Sequence, residues 1–191
     1  MSQSQTPEIT DARTVLETEA AAIKLAAERL DANFVRAVEI LDVPQGKIVV
    51  AGLGKSGHVG RKIAATFCST GSPAVFVHAA EAVHGDLGVH QSGNPTIFLS
   101  NSGSTSELLA LVPILRDRGS SLVGILGNLA GSLAQKMDVA LDASVSREAD
   151  PLGIVPTASF VVTAALGDAL ASSLMHKRGF SEEDYAYTHP G

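Results

Sequence analysis

Residues 100–107 read Ser-Asn-Ser-Gly-Ser-Thr-Ser-Glu, with five hydroxyl side chains gathered around Gly103 directly after the apolar run PTIFLS. The apolar segment ELLALV follows, so the hydroxyls fall where a helix begins. A helix N-terminus offers free N–H groups and a positive dipole end, which together hold an anion without a lysine. The chemistry indicated is phosphate binding through Ser100, Asn101, Ser102 and Thr105. The same letters also fit a helix cap, since Ser104 and Glu107 match a capping box. A cap needs one hydroxyl, however, and the surplus favours the phosphate.

A second loop, GLGKSG at residues 52–57, fits the dinucleotide pattern G-x-G-x-x-G at Gly52, Gly54 and Gly57. A nicotinamide site would also need an acidic residue at the end of the next strand. There the chain has His78, with Glu81 three residues later. An ATP-binding P-loop would need glycine at position 49, where Val49 stands inside an apolar run. What remains is a glycine turn feeding a helix, with Gly54, Lys55 and Ser56 at its lip. Taken alone, these glycines serve close strand–helix packing as readily as a ligand.

The elements that must position these loops are legible from apolar periodicity. Residues Leu16, Ala20, Ile23, Ala27, Leu30, Phe34 and Leu41 predict an amphipathic helix over 10–41, closed by Pro44 and Gly46. Five short apolar runs follow, at 47–52, 73–78, 95–100, 121–126 and 138–143. Most are continuous rather than alternating, as in strands covered on both faces. Helical segments lie between them, clearest at 57–69 and 105–117, and an apolar helix is expected over 156–177. This alternation predicts an α/β fold, a five-stranded parallel sheet between two helical layers. Residues 1–44 are a polar tail and a helical segment packing on the core, and 45–191 carry the sheet, all within one structural domain. Ligands in such sheets sit beyond the carboxyl ends of the strands, which singles out the loops starting at Gly52, His78, Ser100 and Ala143.

Composition narrows the function further. The 191 residues are 45% apolar and 18% charged, which predicts a globular chain. A net charge of −6 argues against a nucleic-acid surface, so an anionic ligand must be held by local groups. Aromatic residues are only 4%, too few for base- or glycan-stacking platforms. The single cysteine, Cys68, excludes an internal disulfide and is expected in the core. MSQSQTPEITDAR has no signal-peptide pattern, and the longest apolar stretch, FVVTAALGDALASSLM, carries Asp168. A soluble cytoplasmic protein without a membrane partner is expected.

Five segments together carry a specific resemblance: GLGKSGHVGRKIAATFCSTGSPAVFVHAAEAVHGDLG, SNSGSTSE, ADPLGIVPTAS, GDALA and GFSEEDYAYTHPG. From about Val15 to its end, the chain resembles the sugar isomerase (SIS) domain of the arabinose-5-phosphate isomerases. The resemblance implies a three-layer, flavodoxin-like α/β/α sandwich that interconverts ribulose 5-phosphate and arabinose 5-phosphate. It implies no organic cofactor, and a homotetramer whose product feeds synthesis of the eight-carbon acid sugar (Kdo) of lipopolysaccharide or capsule. Many members continue past an HPGG-like segment into paired CBS domains, so the likeness is to the form lacking them. The serine loop usually reads S-N-S-G-E, whereas Ser104 occupies the last position here.

Aldose–ketose isomerisation moves a proton between C1 and C2 through an enediol. It needs a base, an acid for the carbonyl oxygen and a group that steadies the transient negative charge. By resemblance, Lys55 steadies that charge and Glu107 belongs to the site. Glu148 acts as the enediol base, assisted or replaced by a histidine. His84 and His189 are the candidate proton shuttles, His189 reaching the site of a neighbouring subunit. Left to the residues alone, Glu107 fits a cap equally well, Glu148 an exposed acid and His189 a frayed tail. His78, His84, Asp86 and His90 cluster in sequence, but their spacing fits no standard zinc pattern. Two other functions remain open at this level: another phosphosugar isomerase on the same scaffold, and a sugar-phosphate sensor. The second usually carries a basic DNA-binding module, for which the first 45 residues have no pattern.

Overall fold

The computed structural model describes residues 6–191. The five apolar runs form strands β1 (Ile48–Gly52), β2 (Ala74–His78), β3 (Thr96–Ser100), β4 (Leu122–Leu126) and β5 (Val139–Asp142). All pair in parallel, in the order β2-β1-β3-β4-β5. This is the flavodoxin-like order, whose direction reverses between β1 and β3. Every residue of β1, β3 and β4 is buried, because side chains alternate between two cores.

Ile48, Val50, Ile97, Leu99, Val123 and Ile125 point into one core. Helices α2 (Ala32–Leu41), α3 (Gly54–Ser69) and α6 (Ala158–Lys177) cover that face. Val49, Ala51, Phe98, Leu122 and Leu126 point the other way, under the short α4 (Ala79–Ala82) and α5 (Ser106–Asp117). Helices α3 and α6 approach closely at Gly167, where a β-carbon would come within 2.4 Å of Ile63. By length and composition alone α6 could cross a membrane, its mean hydropathy being 1.5. Here it is a core helix, with Val162, Leu166, Leu170 and Leu174 buried and Asp168 paired with Lys62.

Three expectations need correction. The amino-terminal segment is two helices, α1 (Pro7–Glu28) and α2, instead of one. Asp31 takes an extended backbone and accepts the Asn33 N–H at 2.8 Å, so it caps a new helix although the apolar spacing runs on across it. Much of the predicted stripe is also uncovered: α1 lies against α6, yet Leu16, Ile23 and Leu30 are exposed, as are Ile9 and Leu25. Cys68 is exposed too, on the outer side of α3 with Sγ on the Ala74 carbonyl.

The amino ends of the strands are tied by polar groups. Arg178, just past α6, reaches Asp42, the Ser72 hydroxyl and the Val43 carbonyl. Nearby, His90 is 6% exposed and donates from Nε2 to the Asn94 carbonyl at 3.1 Å, an oxygen that also accepts from Ser120. Its Nδ1 is buried without a partner among the described residues, so charging the ring would bury an N–H that nothing accepts. Burial therefore holds the His90 pKa below the ordinary imidazole value, with Arg118 and Lys47 adding repulsion and the Asn94 carbonyl opposing. The unfolded chain then binds this proton first, and stability falls as pH drops below about 6.5. Urea midpoints should decline between pH 7 and pH 5, and His90→Gln should flatten that decline; equal slopes in the two proteins would contradict it.

Candidate functional site

Three of the four expected loops converge at the switch point, while His78 at the end of β2 faces a separate hollow. Residues after β1 (Leu53, Lys55, Ser56, Val59), after β3 (Asn101) and around the start of α6 (Pro156, Ser159, Phe160, Thr163) line a cleft of about 290 Å³. Between β1 and α3 the chain makes only one connecting residue, Leu53, and α3 begins without a side-chain cap. Its first turn therefore carries Lys55 and Ser56 straight into the cleft. Gly54, at φ +55°, instead lines a separate hollow with Gly57, His58, Arg61, Phe76 and His78. His78, paired with Gly52 in the β1–β2 register, keeps a buried Nδ1 with no partner among the described residues.

The serine loop folds around a single hydroxyl. Ser100 Oγ lies 2.7 Å from Thr105 Oγ1 and 3.5 Å from Ser102 Oγ, and it accepts the Gly103 N–H at 3.0 Å. Gly103 is required here: its φ is +67°, and a β-carbon would fall 2.1 Å from the Asn128 carbonyl of the loop after β4. The capping box does not form. Thr105, not Ser104, is the N-cap of α5, and its side chain makes no capping bond to that helix. The hydroxyls of Ser100, Ser102 and Thr105 are thus gathered beside a helix end whose N–H groups they do not cap, an arrangement suited to an anion.

Glu107 sits in the first turn of α5, half-buried. Its own N–H and then the Ser106 hydroxyl, at 2.9 Å, hold its carboxyl below the usual range, with His78 adding a smaller pull. Glu148 is placed differently. Oε2 accepts from Thr157 N at 2.9 Å, Thr157 Oγ1 at 3.2 Å and Ser159 N at 3.1 Å, while Oε1 accepts the Ser159 hydroxyl. Partial burial pushes this carboxyl up, but the hydroxyl and N–H donors of Ser159 and Thr157 outweigh it and hold it low. Glu148 therefore caps α6 and meets the cleft through Ser159, which lines it.

Lys55, Ser56 and Asn101 thus share one cleft, and Ser100, Ser102 and Thr105 cluster in the loop that supplies Asn101. His84 and His189 are not brought there by their own chain. His84 is exposed after α4, its N–H on the Glu81 carbonyl. His189 is exposed at the end of α7 (Glu182–Thr188), with its hydrogen bonds confined to that helix. Ser159, Thr163 and Phe160 went unrecognised in the sequence. A serine in an apolar helix reads as small filler, and only folding shows that it bridges Glu148 to the cleft.

The fold and the cleft define an α/β protein with an open cleft at the switch point of a parallel sheet. The SIS domain matches residues 43–173, and the chain belongs to that family. It is 48% identical over 183 residues to arabinose 5-phosphate isomerase KdsD of Pseudomonas aeruginosa, covering 96% of this chain and 56% of that protein. Against arabinose 5-phosphate isomerase GutQ of Salmonella typhimurium it is 50% identical over 163 residues, 85% of this chain and 51% of the other. The chain spans about half the length of the curated relatives it matches. A structure of an Escherichia coli CFT073 protein in complex with arabinose 5-phosphate superimposes with a TM-score of 0.92 at 37% identity, covering 100% of both chains.

Proposed function

We propose that the protein interconverts D-ribulose 5-phosphate and D-arabinose 5-phosphate by aldose–ketose isomerisation. The observation that carries this reading is the joining of Lys55, Ser56 and Asn101 in one cleft, Asn101 coming from the loop that holds the hydroxyl cluster at the start of α5. The phosphate is assigned to Ser100, Ser102 and Thr105, with Ser56 and Asn101 completing the substrate contacts; Gly54, facing its separate hollow, gives only the turn that starts α3. Likeness along its whole length to a protein solved with arabinose 5-phosphate supports a pentose phosphate over other anions.

In the reaction a base takes the C2 proton of the aldose, the enediol forms, and C1 receives a proton while that on O2 is released to leave the ketone. Lys55 steadies the negative oxygen of the enediol. Glu148 is assigned the proton transfer at carbon, with the Ser159 hydroxyl as its link to the cleft. Glu107, ionised and half-buried at the start of α5, serves the oxygen-bound protons with His84 and His189. Because His189 lies outside its own chain's cleft, its part is assigned to the site of a neighbouring copy in a homotetramer. Exposed apolar side chains on α1 (Ile9, Leu16, Ile23, Leu25) and beside Glu148 (Leu152, Ile154, Val155) are surface of the kind that assembly covers. The setting we assign is cytoplasmic, with the product committed to Kdo for lipopolysaccharide or capsule.

Purified protein incubated with ribulose 5-phosphate, without added cofactor, should form arabinose 5-phosphate until a fixed ratio is reached from either side. No conversion of the pentose, or conversion of a six-carbon ketose phosphate in its place, would reject the assignment.

A further inference from the structure

We propose that Tyr185 is a positioning residue that presets His189 as a proton acceptor, an inference that rests on the part given to His189 above. Helix α7 is a short exposed helix with a closed start, Ser181 and Asp184 exchanging capping bonds. It ends at His189, whose N–H donates to the Tyr185 carbonyl at 3.0 Å. The imidazole then turns back on its own helix. Its Nδ1 lies 3.0 Å from that same carbonyl oxygen and 3.0 Å from Thr188 Oγ1. The ring stacks on the Tyr185 ring with centroids 3.9 Å apart and planes 18° from parallel.

A carbonyl oxygen only accepts, so the proton of the neutral ring sits on Nδ1. The Thr188 hydroxyl is compatible with this tautomer, because with its own proton on the Tyr185 or Asp184 carbonyl, at 2.9 and 3.2 Å, its lone pairs are left to Nδ1. The free lone pair is thereby fixed on Nε2, the nitrogen on the far side of the ring. An exposed histidine would otherwise sample its rotamers and both tautomers. The stack holds the ring plane, and the carbonyl selects the tautomer. Opening a furanose needs such an acceptor: the anomeric hydroxyl gives its proton to Nε2 as C1=O forms and the C1–O4 bond breaks. The bonding pair goes to O4, which takes the proton back from the imidazolium. Nothing is oxidised or reduced.

The test uses the full chain and two independent readouts. In the nitrogen NMR spectrum, His189 should show the Nδ1–H tautomer, with Tyr185→Phe keeping it and Tyr185→Ala shifting it toward Nε2–H, which free imidazole side chains favour. In the isomerase assay Tyr185→Ala should lower kcat about tenfold with KM changed less than about twofold, and Tyr185→Phe should restore it. An Nε2–H tautomer in the unaltered protein would overturn the proposal. So would unchanged kcat in Tyr185→Ala while His189→Asn loses activity. If His189→Asn itself kept full kcat, the part given to His189 would fall, and the mechanistic use of the tautomer with it.

Discussion

A Glu148→Gln protein is expected to bind pentose phosphate with little change in KM and to turn it over at least about a hundredfold more slowly, the usual loss when a positioned base is removed. The amide is nearly the same size but cannot take a proton at neutral pH. The structure adds a second effect that must be separated from the first. Both carboxylate oxygens of Glu148 are held by Thr157 and Ser159, so the substitution also weakens the start of α6. The amide keeps one acceptor oxygen for the three donors on Oε2 and loses the charge and the bond at Oε1, a cost of about 2 to 3 kcal/mol at this partly exposed site, so the variant should still fold at room temperature. Because the folded carboxyl is held below its ordinary value, its stabilisation is present above about pH 4.3 and fades as pH falls through the folded value. The variant should therefore be less stable than the parent at pH 7 and converge with it in acid. Normal kcat in a folded variant would remove Glu148 from the reaction.

The second large effect belongs to the serine loop. Ser102→Ala combined with Thr105→Ala removes two donors beside the start of α5, each worth about 1.5 to 3 kcal/mol toward a charged group. KM for the phosphorylated sugar should rise at least about a hundredfold, while activity on unphosphorylated arabinose, however low, should be unchanged. Stability should fall by only about 1 to 2 kcal/mol, since no helix cap is lost and the bonds removed are the neutral ones to Ser100 and Ser104. Steady-state kinetics on the two sugars decides the matter. An unaltered KM would place the phosphate elsewhere.

The amino-acid order was enough to place the sheet and the loops at its carboxyl ends. Each strand lies within one residue of its apolar run, because burial on both faces leaves an uninterrupted hydrophobic signal. The serine loop was legible for a similar reason: hydroxyls in excess of any cap are rare, and they sit where a helix must begin. What the linear pattern could not show was which polar groups bond one another and which side of an element the core covers. Asp31 breaks the first helix although the apolar spacing continues, since capping is a local hydrogen bond that periodicity does not register. Cys68 faces outward because the buried face of α3 runs through Gly60, Ile63, Ala64 and Phe67, and the next residue along the helix turns away from it. Glu148 looks like a loop acid, yet folding brings it to residues nine and eleven positions later and binds it there. His189 is named by its motif, but only the folded chain shows its ring stacked on Tyr185 and away from its own cleft. Local physics sets the elements; which side chains meet at the cleft depends on how the packed layers bring distant loops together.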